Sequence, residues 1–179
     1  MRRKNITSEM MKDYITESLL ILMETKPYSD ITIGEITKKA GVNRSTYYRN
    51  FDSKEDIIKH FFIGIMDSYL KTIPDNIDME NYLTGMFHAF LDKKRQIMLI
   101  YQNNTAYILF DTLNSYFTER VSEKFSTNVF EEKFYLYYHT GGIFNTFLLW
   151  FSNDMSPSPE ELAKLSVHIT PANFRPVLI

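Results

Sequence analysis

The chain has 179 residues, and its 44% hydrophobic content is enough for a substantial buried core, which excludes a mainly disordered protein. It has no cysteine, which excludes disulfide frameworks, thiolate zinc sites and cysteine nucleophiles. The net charge of −2 conceals a division, because residues 1–51 carry nine Lys or Arg against six Asp or Glu, whereas residues 52–179 carry eleven against sixteen. A basic amino-terminal part beside an acidic body indicates that the first part meets a polyanion.

The sequence shows no sign of membrane insertion or export. No apolar run approaches the roughly 18 residues that a membrane-spanning helix needs. The basic residues at the start of the chain lead into a polar amphipathic stretch rather than an apolar signal region. We therefore expect a cytoplasmic protein with no membrane partner.

The first predicted element is an amphipathic helix. Apolar residues recur at helical spacing from Met11 to Leu22, which predicts a helix over 7–25. Pro27 stops this helix, because a proline cannot continue the hydrogen-bond ladder.

Two short helices follow in close succession. Thr32 and Glu35 form a capping box, in which the hydroxyl and the carboxylate each pair with a backbone amide at the start of a helix. Gly41 tolerates a positive φ, and Asn43 can cap the next helix. The predicted helices cover 33–39 and 44–50. A helix, a short turn with glycine and a second helix form the helix-turn-helix pattern.

The remainder of the chain also has helical periodicity, and no strand pattern survives in it. Ser53 and Asp56 repeat the capping pattern and begin a fourth helix that runs to about residue 71. Ser158 before Pro159 predicts the start of the last helix. The helices between them are predicted over 79–91, 94–102, 105–125 and 130–151. The fold class predicted from these patterns is all-α.

The third helix carries side chains suited to DNA. Arg44 can donate two hydrogen bonds to guanine, and Ser45 is small enough to allow close approach. Tyr47 can read a base or lie along the sugar backbone. Taken alone, such a segment is more often a solvated face with aromatic packing. The two capped helices and the basic amino-terminal part both favour DNA binding instead. The predicted contact set, which adds hydroxyls and helix starts suited to phosphate, is Thr32, Asn43, Arg44, Ser45, Thr46, Tyr47, Tyr48 and Lys54.

Residues 31–58, ITIGEITKKAGVNRSTYYRNFDSKEDII, resemble the DNA-binding region of the TetR family of bacterial transcription regulators. The usual alanine after the first matching isoleucine is replaced here by Thr37, a small departure. The residues that match the family pattern are Ile36, Gly41, Val42, Thr46, Tyr47, Tyr48, Phe51, Ser53, Lys54 and Glu55.

The carboxy-terminal part resembles a Firmicutes-type branch of the same family, which includes dihydroxyacetone-kinase regulators. The resemblance rests on Tyr137 to Gly142, Trp150, Met155-Ser156-Pro157 and Glu160-Glu161-Leu162. It implies about nine helices and a homodimer formed through the last two helices, where Gly141 and Gly142 permit close approach. It also implies a helix-turn-helix DNA-binding domain over 1–52 and a helical effector-binding and dimerisation domain over 53–179.

An effector cavity is a further implication of the resemblance. Aromatic residues at helical spacing between 97 and 151 are more often core than pocket, yet the family implies that some enclose a small apolar effector. The candidate ligand-binding residues are Tyr101, Phe110, Tyr138 and His139. No cofactor and no metal are predicted.

Two other function classes compete with this prediction. An enzyme is disfavoured, because the chain has no phosphate loop or nucleophile elbow and its four histidines lie at no metal-ligand spacing. The alternative to a regulator that senses a small molecule is a DNA-binding adaptor whose body binds a partner protein, and the sequence does not separate the two. The prediction is a TetR-type regulator that binds a palindromic operator as a homodimer, with the sign of regulation open.

Overall fold

The computed structural model describes residues 2–74, 76–124 and 130–169, and within these ranges it contains nine α-helices and no strand. A short 3-10 helix, Tyr28–Asp30, follows the first α-helix. The α-helices are α1 (Arg2–Met23), α2 (Ile33–Ala40), α3 (Arg44–Tyr48), α4 (Lys54–Leu70), α5 (Met79–Leu91), α6 (Lys94–Gln102), α7 (Tyr107–Lys124), α8 (Phe130–Ser152) and α9 (Pro159–Ile169). The predicted all-α class is confirmed. Within the same ranges, no helix is both long and apolar enough to cross a membrane.

Helix starts follow the caps that the sequence predicts. The hydroxyl of Thr32 accepts from the Glu35 amide while the Glu35 carboxylate accepts from the Thr32 amide, and Ser53 and Asp56 form the same box at α4. Gly41 ends α2 in the left-handed conformation with φ of 67°. These caps satisfy backbone amides that a helix end would otherwise leave unpaired.

Two helix ends differ from the prediction. Helix α1 begins at Arg2 rather than near residue 7, because the start of the chain carries no breaker that would mark a later start. Helix α3 ends at Tyr48 rather than near residue 50, because the Asn50 amide bonds to the Tyr47 carbonyl at 2.9 Å, while the Asn50 side chain donates to the Thr46 carbonyl at 2.7 Å.

Helix α4 lies at the centre of the packing. It contacts α1 on one side and α5 and α7 on the other, while α1 also packs on α2 and α5 packs on α9. Helix α8 packs mainly on α7. The head, which we define as α1 to α3, therefore reaches the rest of the molecule largely through α4. The division into domains at residue 52 stays a prediction.

Aromatic side chains from α5 and α8 form the core of the body. Phe90 and Phe147 lie 4.4 Å apart between ring centroids, and Phe87 lies 5.5 Å from Trp150. Trp150 is the single tryptophan of the chain, is 1% exposed and donates its indole N–H to the Pro157 carbonyl at 2.8 Å. Burial of each large ring stabilises the fold by roughly 1.5 to 3 kcal/mol.

Candidate nucleic-acid interface and ligand groove

Helix α3 has one buried side and one exposed side. Tyr47 points inward and is 0% exposed, whereas Tyr48 is 57% exposed. Arg44 and Ser45 are exposed at the start of the helix. The exposed side is polar and basic, as a helix that enters the major groove requires.

Tyr47 corrects the predicted contact set. Its ring is buried against Tyr48 and Phe51, with centroids 5.2 Å and 6.3 Å away. Burial raises its pKa to about 12. A five-residue helix can present only one of two consecutive aromatic side chains outward, because neighbouring residues point in different directions. The prediction that Tyr47 contacts DNA is therefore wrong.

Asn43, Ser45 and Thr46 form a hydrogen-bonded cluster at the start of α3. The Asn43 Oδ1 accepts from the Thr46 amide at 2.7 Å, from the Ser45 hydroxyl at 2.7 Å and from the Thr46 hydroxyl at 2.9 Å. The cluster fixes the first turn of the helix. The two hydroxyl oxygens retain lone pairs, and the Asn43 amide nitrogen lies on an exposed residue.

Arg44 lies over the start of α2. A Cβ atom added to Gly34 would lie 3.2 Å from the Arg44 Nη2 and 3.8 Å from the Thr32 Oγ1. Glycine at this position therefore leaves room for the guanidinium beside Thr32. The arrangement brings a cation and the amino end of α2 together, and both favour a phosphate or a base edge.

Glu35 secures the start of α2. Its carboxylate accepts from the Lys26 ammonium at 2.7 Å and from the Thr32 amide at 2.9 Å. The hydrogen bond from Lys26, followed by those from Thr32, lowers the pKa of Glu35 to about 2. The carboxylate thus remains charged under all ordinary conditions.

Arg49 was missing from the predicted set. It is exposed, its Nε donates to the Ser45 carbonyl at 3.2 Å, and its Nη2 donates to the Thr46 hydroxyl at 3.0 Å. Its position one helical turn after Ser45 is the sequence signal that could have identified Arg49 as a candidate contact. Its charge lies on the same side of α3 as the exposed hydroxyls.

Lys54 is held by backbone carbonyls. Its ammonium donates to the carbonyls of Tyr28 and Ile31, both at 2.8 Å, and lies 4.4 Å from the centroid of the Tyr28 ring. Two of its three donors are thus engaged within the chain, which leaves one for a phosphate. Asn103 of the body holds the same segment, because its Oδ1 accepts from the Tyr28 amide at 2.8 Å.

A groove of about 500 Å³ lies between α5, α8 and α9. Tyr138 and His139 line it, as do apolar residues of α5. Tyr101 and Phe110 lie elsewhere, because their rings pack on Phe151 and Phe144. The structure therefore brings two of the four predicted ligand residues together and places the other two in aromatic packing. Burial lowers the pKa of His139.

An exposed apolar face runs along α8 and α9. On α8, Phe134 is 55% exposed, Tyr138 is 69% exposed and Leu149 is 71% exposed. On α9, Leu165 is 62% exposed and Ile169 is 76% exposed. We call these five residues the α8–α9 face. Large apolar patches of this kind mark interaction surfaces.

The geometry of the head defines the class of protein. Two capped helices meet through a left-handed glycine, and the second exposes polar and basic side chains at its start. This is a helix-turn-helix DNA-binding protein.

Comparison with known families agrees with this class. The family model described as bacterial regulatory proteins, tetR family, matches residues 15–61, and the model described as transcriptional regulator C-terminal region matches residues 77–170. The chain belongs to the tetR family of bacterial transcription regulators. Membership confirms the predicted family and the prediction of a regulator rather than an enzyme, and it implies DNA binding and dimerisation.

Similar proteins are known by sequence and by structure. The chain is 26% identical, over 51% of each chain, to the biofilm operon negative regulator IcaR of Staphylococcus epidermidis. It is 28% identical to IcaR of Staphylococcus aureus, over 45% of this chain and 44% of the other. The chain spans about half the length of the curated relatives it matches.

Two solved structures share the fold. A TetR transcriptional regulator from Streptococcus agalactiae is similar with a TM-score of 0.59 and 21% identity, covering 94% of this chain and 97% of the other. The dihydroxyacetone kinase operon activator DhaS is similar with a TM-score of 0.50 and 17% identity, covering 89% and 93%. At these identities the likeness concerns the fold.

Proposed function

We propose that the protein is a repressor that binds a palindromic operator as a homodimer and whose operator affinity changes when a small apolar effector binds the groove. The observation that carries this proposal is the exposed polar and basic side of α3, with Arg44 at its start. The similarity to IcaR, a negative transcriptional regulator, supports repression. Because the operator is part of chromosomal DNA, a cytoplasmic location is part of the same proposal.

The α8–α9 face supports dimerisation. Between Tyr138 and Leu149 it passes over Gly141 and Gly142, where an added Cβ would meet no atom of the described part of the protomer within 4 Å. Packing within the protomer therefore does not require glycine there, although each glycine inside a helix costs about 1 kcal/mol relative to alanine. A second copy that approaches closely accounts for both glycines.

Twofold symmetry then determines the form of the operator. A dimer through α8 and α9 presents one α3 from each protomer, and two recognition helices read half-sites roughly 34 to 36 Å apart. An effector shifts operator affinity only through its different affinity for two separations of the heads. Coupling of roughly 1 to 3 kcal/mol is typical.

Selection of bound genomic fragments, followed by fluorescence anisotropy on the selected duplex, tests the DNA-binding part of the proposal. Arg44→Ala should weaken binding to the selected site by about 1 to 3 kcal/mol and relax base preference at one position of each half-site. Arg95→Ala, which removes an exposed arginine of α6, is the matched control and should leave affinity unchanged. Equal losses for both variants would contradict the assignment.

A further inference from the structure

The described residues that line the groove include no Asp, Glu, Lys or Arg. The floor consists of α5 side chains that are at most 7% exposed, namely Met79, Leu83, Met86 and Phe87. Burial lowers the pKa of His139, which disfavours its charged form. An ion would lose its hydration here without gaining an opposite charge, so the lining favours a neutral molecule.

Two polar side chains on the α8 wall donate to backbone carbonyls of the same helix. The Thr146 hydroxyl donates to the Gly142 carbonyl at 3.0 Å, and the Asn145 amide nitrogen donates to the Gly141 carbonyl at 2.8 Å. A hydroxyl has one proton, so Thr146 can offer the groove only an acceptor. Asn145 offers its carbonyl oxygen and its second amide proton. A ligand that carries a hydrogen-bond donor can therefore bond to the Thr146 oxygen.

The mouth of the groove coincides with the α8–α9 face. Tyr138 and Ile169 belong to that face and also line the groove. Gly142 and Asn145, which are exposed and lie along the same side of α8, line it as well. A second copy packed on this face would cover the opening.

We propose that this groove binds a neutral, mainly apolar molecule with a hydrogen-bond donor, of the alkylphenol or long-chain alcohol type, and that the second copy of the chain completes the site. This inference rests on the proposed homodimer. The occupied groove then presents part of the ligand to the partner. Because binding linkage is reciprocal, the ligand strengthens the dimer by the same factor as the dimer strengthens ligand binding.

Three para-butyl aromatic probes test the ligand class by calorimetric titration. Para-butylphenol should bind, para-butylanisole, which lacks the donor, should bind about fivefold more weakly, and para-butylbenzoate, which is charged, should not bind. Equal binding of the phenol and the anisole would overturn the inference. Binding of the benzoate that is at least as tight as that of the phenol would overturn it as well. Failure of this phenol and of the neutral alcohols from butanol to decanol to bind would overturn it too.

A matched pair of threonine variants locates the acceptor. Thr146→Val should reduce the affinity for the phenol to that for the anisole. Thr112→Val removes a hydroxyl with the same type of bond, to the Ile108 carbonyl at 2.6 Å, from a buried position in α7 away from the groove. It should leave the preference for the phenol intact. A preference that survives Thr146→Val would overturn the assignment of Thr146.

A dimer-breaking variant tests the shared site. Leu149→Glu places a charge on the α8–α9 face without touching the groove lining, and the resulting monomer should bind the phenol about tenfold more weakly or worse, because the ligand stays partly in water. Tyr107→Glu, at a 52% exposed position of α7, is the control. A Leu149→Glu monomer that binds the phenol as well as the unchanged dimer would overturn the shared site.

The same measurements separate this inference from the proposed function. Sedimentation and operator binding are recorded on each sample. An unchanged chain that is monomeric and does not bind its selected operator would contradict the proposed function itself. A dimer that binds the operator but none of the neutral probes would overturn only the inference about the groove.

Discussion

Two adjacent tyrosines of α3 have opposite environments. Tyr47 is fully buried, and among the described residues its hydroxyl has no hydrogen-bond partner, whereas Tyr48 is 57% exposed. A buried hydroxyl without a partner costs free energy. The buried ring of Tyr47 therefore stabilises the head, and its unpaired hydroxyl offsets part of that stabilisation. Tyr48 is available to contact DNA.

Replacement of each tyrosine by phenylalanine should separate these roles. Tyr47→Phe should raise the free energy of unfolding by about 1 kcal/mol, because it removes a buried unpaired hydroxyl, and should leave DNA affinity unchanged. Tyr48→Phe should leave stability unchanged and weaken operator binding. Urea unfolding and anisotropy measure the two effects. A loss of DNA affinity in Tyr47→Phe alone would contradict the assignment.

Glu35 provides a second prediction at this scale. Its carboxyl should titrate with a pKa of about 2, as followed by the NMR shift of its side-chain carbon. Since this pKa lies below the ordinary 4.5, the stability that the carboxylate contributes is present above pH 4.5 and is lost as the pH falls through about 2. Lys26→Ala should raise the pKa, and a pKa that is unchanged in this variant would exclude Lys26 as the main cause.

At the scale of elements, the short segment Tyr28–Asp30 joins the head to the body. Lys54 at the start of α4 and Asn103 at the end of α6 hold the main chain of Tyr28 from two sides. Asn103 also donates to the Leu99 carbonyl at 2.9 Å, which orients its side chain. We therefore expect a displacement of α6 to be transmitted to the residues just before α2.

Asn103→Ala tests this connection. Removal of the acceptor should increase hydrogen–deuterium exchange at the Tyr28 amide and weaken operator binding about fivefold, the equivalent of one hydrogen bond that no longer orients the head. Gln102→Ala, at the exposed neighbouring position, is the control. Unchanged exchange at Tyr28 would show that the bond does not form in solution.

The sequence was informative about local elements and much less so about contacts between them. Helices α5 and α6 have the predicted ends, and the boxes at Thr32 and Ser53 form, because capping and periodicity depend on neighbouring residues. The bond between Asn103 and Tyr28 spans 75 positions and leaves no local pattern. For the same reason the sequence could not show which aromatic residues pack together and which line the groove.

At the scale of the whole molecule, the helix glycines distinguish contacts within a protomer from contacts between protomers. Among the residues that the structure describes, no atom lies within 4 Å of a Cβ added to Gly64 of α4 or to Gly141 and Gly142 of α8. Only the pair in α8 lies beside the α8–α9 face. Gly64 therefore lies outside the proposed interface and serves as the control position for Gly141 and Gly142.

Gly142→Ala should stabilise the isolated helix by about 1 kcal/mol and yet weaken the dimer, because the methyl group occupies the space of the partner. Gly64→Ala should give the same gain in stability with no effect on the dimer. Thermal unfolding and sedimentation equilibrium measure the two quantities. A Gly142→Ala protein that dimerises as tightly as the unchanged chain would argue against close approach at this point.

The single tryptophan has a practical consequence. Trp150 is shielded from water and packs on Phe87, which is part of the groove floor. Emission from this indole is thus an intrinsic optical reporter that needs no label. Its intensity and wavelength should change when a molecule enters the groove beneath α8. Binding events at the head should change this emission only if they propagate through the body.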